Sequence, residues 1–195
     1  FETLQQMQQY NRTYCGVVDE NKKLIGFLTK SDISVIGLYD TARSIEIMSR
    51  TPLENFRKTL DGRILYDDPE MKLNGKVSVI AMTEGSRLEH YDVEHRIVIC
   101  GSDPEAQKQV IRQGAGLLVV VWADTIQADV IEAAKLHHCP IVISGHGAMN
   151  TTRYIYFSPS ASQIMKRELV KFTNTELAED VSRKMLQSRY HVYPV

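Results

Sequence analysis

Thr29, Lys30, Ser31 and Asp32 stand in a row at the end of the segment GFLTKSD, which runs from Gly26 to Asp32. Two hydroxyls, an ammonium and a carboxylate at the first turn of a helix suit a phosphate and a ribose. Unpaired backbone N–H groups at a helix start attract phosphate, and Lys30 adds charge. Asp32, three residues after Thr29, can accept both hydroxyls of a ribose. The competing reading is capping: Thr29 or Ser31 caps the helix, and the helix dipole favours Asp32 in its first turn. On chemistry alone, capping is the favoured reading of the two.

The elements that must position these groups are a hairpin and a helix. Residues 16–19 read as a strand, 20–23 as a charged turn, 24–28 as a second strand, and Thr29 as a helix start. Upstream, residues 1–9 read as the end of a helix with Leu4 and Met7 on one side. Residues 33–39 continue the helix that Thr29 opens, and 45–48 begin another before Pro52. Periodicity is weak over 51–74, and Asp61-Gly62 and Asp67-Asp68-Pro69 are turn signals; a domain boundary is expected there.

From Lys76 the character changes. Residues 77–82 and 97–100 read as strands. Gly101, Ser102 and Asp103 precede a helix over 105–113, with Pro104 at its first position. An anion pocket is conceivable at that helix start, but plain capping is favoured. Residues 117–122 form a continuous apolar run, as strands buried on both faces of a parallel sheet do, and Trp122 is expected in the core. Asp124 or Thr125 is expected to cap a helix ending near His137. A strand over 141–144, a loop over 145–147 and a helix over 149–157 follow. This alternation predicts a parallel α/β unit. The loop at Ser144 to Gly147 is not the Gly-x-Ser-x-Gly of a nucleophile elbow and reads as a strand-end loop.

Residues 162–165 read as a turn, 168–172 as a strand, and Asn174 or Thr175 as the cap of a helix through Gln187. The final strand, 189–195, alternates Arg189, His191 and Tyr193 on one face with Tyr190 and Val192 on the other. A solvated edge strand and a nucleotide contact, with an aromatic on adenine and Arg189 on phosphate, stand level for it. At one constant offset Met185 falls on Met7, Pro194 on Gly16 and Val195 on Val17, with eight residues between each Met and the Gly or Pro. An internal repeat at the two ends, separated by the α/β unit, is the organising pattern.

Composition narrows the function classes. The 195 residues, 43% hydrophobic and 24% charged, suit a folded chain of one large or two small domains. A net charge of -1 offers no basic field for nucleic acid or an anionic membrane. No apolar run is long enough to span a bilayer as a helix. Cys15, Cys100 and Cys139 lie far apart, without metal spacing or an even framework, so a reducing cytoplasm is expected. Beginning at Phe1 without a methionine or signal-like segment, the chain is expected to be a fragment.

A strand ending in Val17-Val18-Asp19, a short turn, and then Gly26 followed by Thr29 and Asp32 resembles the cystathionine β-synthase (CBS) domain. In that family the Thr and Asp hold the phosphate and ribose of an adenine nucleotide. The middle unit is similar to a DRTGG domain, on Cys100 to Asp103, the apolar 117–121, the 140–144 strand and Asn150 to Arg153. The namesake motif is not kept; the loop at Trp122 to Asp124 stands in its place. The whole chain resembles the regulatory region of the CBS-containing family II inorganic pyrophosphatases.

The resemblance implies an α/β fold: an α+β CBS pair with an inserted parallel α/β DRTGG domain. The expected division is a first, incomplete repeat at 1–50, a linker at 51–75, a DRTGG-like domain at 76–158 and a second, incomplete repeat at 159–195. The implied ligands are AMP and ADP as inhibitors, and ATP or diadenosine polyphosphates as activators. Tyr14, Cys15 and Gly16 with Val192, Tyr193 and Pro194 would line the base; Thr29, Lys30 and Ser31 would meet phosphate and Asp32 ribose. Arg189, Tyr190 and His191 complete the expected set. Manganese or cobalt would belong to separate catalytic domains of the parent chain. Their Asp-His-His motif is absent here, since His137 and His138 follow Leu136, so this chain is expected not to be catalytic. A homodimer through the CBS repeats, and through the DRTGG-like domain as a further contact, is the implied assembly, with no nucleic acid or membrane partner. Two alternatives remain: the same sensor on another enzyme, or a small catalytic α/β unit flanked by sensor repeats.

Overall fold

Residues 2–38, 41–80, 91–188 and Tyr193 are described by the structure, a computed structural model. Helix α1 (Glu2–Gln9) is followed by β1 (Tyr14–Val18) and β2 (Leu24–Thr29), an antiparallel hairpin with Tyr14 opposite Thr29 and Gly16 opposite Phe27. The charged turn is closed by Asp19, whose carboxylate accepts the amides of Asn21 and Lys23 at 2.9 Å each. Helix α2 (Lys30–Leu38) follows β2 directly. Met7, Leu28, Ile33 and Ile36 form a small core with Ile164 from far along the chain. Helix α3 (Ala42–Ser49) is capped by Thr41, whose hydroxyl accepts the Ser44 amide at 3.1 Å.

The segment 51–75, expected to be a linker, instead contains α4 (Leu53–Thr59) and β3 (Arg63–Tyr66). Leu53, Phe56 and Leu60 fall at i, i+3 and i+7, the spacing of one helical face, and all three are buried. β3 is followed by β4 (Val77–Ile80), β5 (Ile97–Cys100), α5 (Pro104–Arg112), β6 (Leu117–Val120), α6 (Ala128–Leu136), β7 (Ile141–Ile143) and α7 (Ala148–Tyr154). One five-stranded sheet results, in the order β3-β7-β6-β5-β4, parallel throughout except that β3 runs antiparallel to β7.

Every residue of β5, β6 and β7 is buried. Alternation sends Val98, Cys100, Leu118 and Val120 to a face covered by α5 and α6. It sends Ile97, Ile99, Leu117 and Val119 to the face covered by α3, α4 and a 3₁₀ turn at Ile155–Phe157. Burying each such side chain contributes about 1.5–3 kcal/mol, which makes this sheet the main store of stability.

Several boundaries differ from expectation. α5 starts as read, with Pro104 first and the Asp103 carboxylate accepting the Glu105 amide at 3.1 Å. α6 begins at Ala128 with Gln127 before it, not with a cap at Asp124 or Thr125, because 121–127 stays in a loop beyond β6. Trp122 is not in the core: it sits on that loop in left-handed backbone, 77% exposed. In place of the expected turn, α8 (Ala161–Ile164) is one helical turn held by a Ser160–Gln163 capping box. Residues 168–172 form no strand; only Lys166 pairs, as an isolated antiparallel bridge to Phe27 of β2. The last helix, α9 (Ala178–Gln187), starts after Leu177, not at Asn174 or Thr175. The strand expected over 189–195 lies outside the described residues apart from Tyr193, which is in no regular element.

Two passages of chain join the end regions to the middle, and they lie side by side. The Arg43 guanidinium donates to the Ile164 carbonyl at 3.1 Å, and the Gln163 amide donates to the Arg50 carbonyl at 3.1 Å.

Candidate functional site

The hairpin delivers Thr29 to the end of β2 and Asp32 to the first turn of α2. There the two residues bond reciprocally. Asp32 Oδ2 accepts the Thr29 amide at 2.9 Å and the Thr29 hydroxyl at 2.6 Å, while Thr29 Oγ1 accepts the Asp32 amide at 3.1 Å. The capping reading is therefore realised in the geometry, and it fixes the carboxylate in place. Its other oxygen, Oδ1, is 3.3 Å from Lys166 Nζ, and the Asp32 side chain is only 9% exposed. Burial pushes the Asp32 carboxyl up, but the Thr29 hydroxyl and amide and the Lys166 ammonium outweigh it and hold it below the usual range. An ionised acceptor with an adjacent cation is the chemical content of the site.

Lys166 is the residue that sequence reasoning missed. Nothing near it in the chain marks it; it is placed by the bridge to β2, where Phe27 and Lys166 exchange both backbone bonds at 3.0 and 2.9 Å. The preceding Met165 packs on Gly26, where a Cβ would sit 2.2 Å from Met165 Sδ. Gly26 thus permits the connector to lie against the hairpin.

The other expected residues divide into three groups. Tyr14 stacks on Phe27 with centroids 5.5 Å apart, Cys15 is half-buried with its thiol pushed up by that burial, and Gly16 is exposed. Lys30, half-buried, donates its amide to the Thr13 carbonyl at 2.9 Å, and Ser31 is exposed. These five share the hairpin and helix start with Thr29 and Asp32. Tyr193 packs on Phe172 at 5.2 Å, and its hydroxyl bonds to Ser188. Arg189, Tyr190, His191, Val192 and Pro194 lie outside the described residues.

A cleft of about 560 Å³ opens between α1, α4 and the 156–161 connector. Leu28 and Ile33 line it, yet Thr29, Lys30, Ser31 and Asp32 do not. The concave space and the polar cluster are different places.

Comparison with known proteins follows the same division. The DRTGG domain model matches residues 55–157 and the CBS domain model residues 1–36. The chain is 30% identical over 191 residues to the cobalt-dependent inorganic pyrophosphatase of Clostridium perfringens, covering 97% of this chain and 35% of that one. It is 23% identical over 175 residues to a Thermotoga maritima protein named as a probable manganese-dependent inorganic pyrophosphatase, covering 88% of this chain and 31% of that one. The chain therefore spans about a third of the length of these relatives. A similar solved structure is that of the CBS and DRTGG domains of the regulatory region of Clostridium perfringens pyrophosphatase, complexed with its activator diadenosine tetraphosphate. It superposes with a TM-score of 0.80 at 30% identity, over 100% of this chain and 85% of that one. The α4–β3 segment falls largely inside the DRTGG match, as its place in the sheet requires. This chain belongs to the DRTGG domain family, its DRTGG unit joined to a CBS domain as in the regulatory region of CBS-containing pyrophosphatases.

Proposed function

We propose that this chain is the adenine-nucleotide-sensing region of an inorganic pyrophosphatase. The observation that carries the reading is the Thr29–Asp32–Lys166 cluster, where a connector remote in sequence brings a cation to an ionised, immobilised carboxylate. An ionised carboxylate accepts ribose hydroxyls by charge-assisted bonds, while the ammonium groups of Lys166 and Lys30 suit phosphate. The same domain pair in the Clostridium perfringens structure is complexed with diadenosine tetraphosphate, which supports nucleotide as the ligand.

AMP and ADP inhibit and ATP or diadenosine polyphosphates activate in this reading. The catalytic domains lie elsewhere in the parent chain and use manganese or cobalt. The expected contacts of the second repeat, at positions 189–194, belong to this reading as well, though apart from Tyr193 they lie outside the described residues. Two copies pair through their CBS repeats, bringing two nucleotide sites together. A diadenosine polyphosphate then joins both through one phosphate chain, gaining by effective concentration when its length fits. Each ligand shifts the catalytic domains only as far as its affinities for the two dimer arrangements differ. A cytoplasmic setting belongs to the same proposal; the thiols of Cys15, Cys100 and Cys139 are all free, and no helix among the described residues is long and apolar enough to cross a membrane.

Calorimetry with AMP on the wild type and Asp32→Ala tests the assignment. A loss of affinity of at least tenfold in the variant is expected, about 1.4 kcal/mol. Equal affinities would remove Asp32 from the site.

A further inference from the structure

Beyond the carboxyl ends of β6 and β7 lies a second cavity, of about 450 Å³, away from the Thr29–Asp32 cluster. In open parallel sheets this is where the strands stop, the helices turn back and a crevice is left. Asp61, Arg63, Trp122, Asp124 and His146 line it, five side chains with polar groups around one small space. Elsewhere on the surface opposite charges pair, as Glu54 does with Arg57 and Asp129 with Lys108. Here they do not. Arg63 donates to the Asp124 backbone carbonyl instead of to a carboxylate. Among the described residues neither the Asp61 nor the Asp124 carboxylate forms a close ion pair, and Asp61 feels the Arg57 guanidinium only at longer range, that group being bonded to Glu54.

The rim is built, not accidental. Trp122 takes left-handed backbone, with φ of 61°, a conformation that is costly for a bulky side chain, while Asp61 takes it at 45°, where Asp is tolerated. The indole lies against the bare backbone of Gly147, where a Cβ would come within 2.5 Å of the ring, and Trp122 remains largely open to solvent. The His146 loop is held from beneath: Ser144 bonds to Thr151 at 2.7 Å and accepts the His146 amide at 3.1 Å. The imidazole is set edge-on to Tyr154 at 5.0 Å.

We propose that this cavity is a small-molecule site for an uncharged nucleoside, independent of the nucleotide reading above. A flat indole stacks on a base, and two unpaired carboxylates accept the hydroxyls of a ribose. With Arg57 already neutralised by Glu54, the two carboxylates outnumber the Arg63 guanidinium and disfavour a ligand that leads with free phosphate. The volume lies within the range of small-molecule pockets, roughly 300–1,000 Å³.

Trp122 is the only tryptophan of the chain, so its emission reports on this cavity directly. The 195-residue chain is titrated with adenosine, and with AMP as the charged comparator. Adenosine is expected to quench Trp122 saturably, with AMP weaker. In the double variant Asp61→Asn/Asp124→Asn the adenosine midpoint should rise at least tenfold. Both positions are exposed and Asn tolerates left-handed backbone, so the fold should survive, which an unchanged thermal midpoint verifies. Asp32→Ala should leave the quench intact while weakening AMP binding in calorimetry, separating the two sites. No quench up to roughly millimolar adenosine, an unchanged midpoint in the double variant, or a quench that vanishes with Asp32→Ala would each overturn the proposal.

Discussion

In the five-stranded sheet, β5, β6 and β7 are covered on one face by α5 and α6, their own neighbours in sequence. The β1–β2 hairpin has only two strands, and its edge and part of its core come from the distant residues Ile164, Met165 and Lys166. Two-stranded hairpins are marginal alone in water. Stability thus resides in the middle unit, while the candidate site is assembled from contacts that close long loops. A site made this way is the part that a ligand can shift at least cost, since low local stability accompanies regulatory movement.

Breaking each region separately should expose the difference. Leu118→Ala, on the fully buried β6, should cost about 2–5 kcal/mol, read as a lowered urea midpoint. A cost below about 1 kcal/mol would mean that the sheet is not the main core. Gly26→Ala makes the Met165 side chain shift against the hairpin and should cost about 1–3 kcal/mol. Its sharper signature is faster amide exchange at Phe27 and Lys166 with the sheet unaffected; uniform loss of protection would show that the two regions do not separate.

Acid titration sharpens the comparison at a single group. The Asp32 carboxyl is lowered in the folded chain, since Thr29 and Lys166 together outweigh burial. Its contribution is therefore fully present above the unfolded value of about 3.9 and is lost as pH falls through the lower folded value. Wild type and Asp32→Asn should diverge in pH dependence only below about pH 4. Parallel curves through that range would place the ionised form elsewhere. The smallest effect belongs to α9, none of whose residues is buried: Met185→Ala should change stability by less than about 0.5 kcal/mol. Met7, its counterpart in the repeat, is 3% exposed against 40% for Met185. A large effect at Met185 would mean that α9 packs on residues outside the described ones.

What the sequence revealed follows the same split. The apolar runs of β5, β6 and β7 were legible because a strand buried on both faces needs no alternation. The charged turn and the Thr29–Asp32 spacing were legible because a hairpin and a helix cap are local. Neither α4 nor β3 is legible: Leu53, Phe56 and Leu60 make up only two turns of apolar spacing, and Arg63–Tyr66 mixes polar and apolar residues as edge strands do. Residue type alone points Trp122 to the core and cannot foresee left-handed backbone on a strand-end loop. Lys166 could not be read at all, since only the folded bridge to Phe27 places it beside Asp32.

The paired crossings at Arg43–Ile164 and Gln163–Arg50 carry one further consequence. A module hung on a single tether can swivel freely, whereas one fastened along a seam by two adjacent segments keeps mainly the rotation about that seam. A tilt of the hairpin across that seam is then passed to the sheet, whereas a turn about the seam is not.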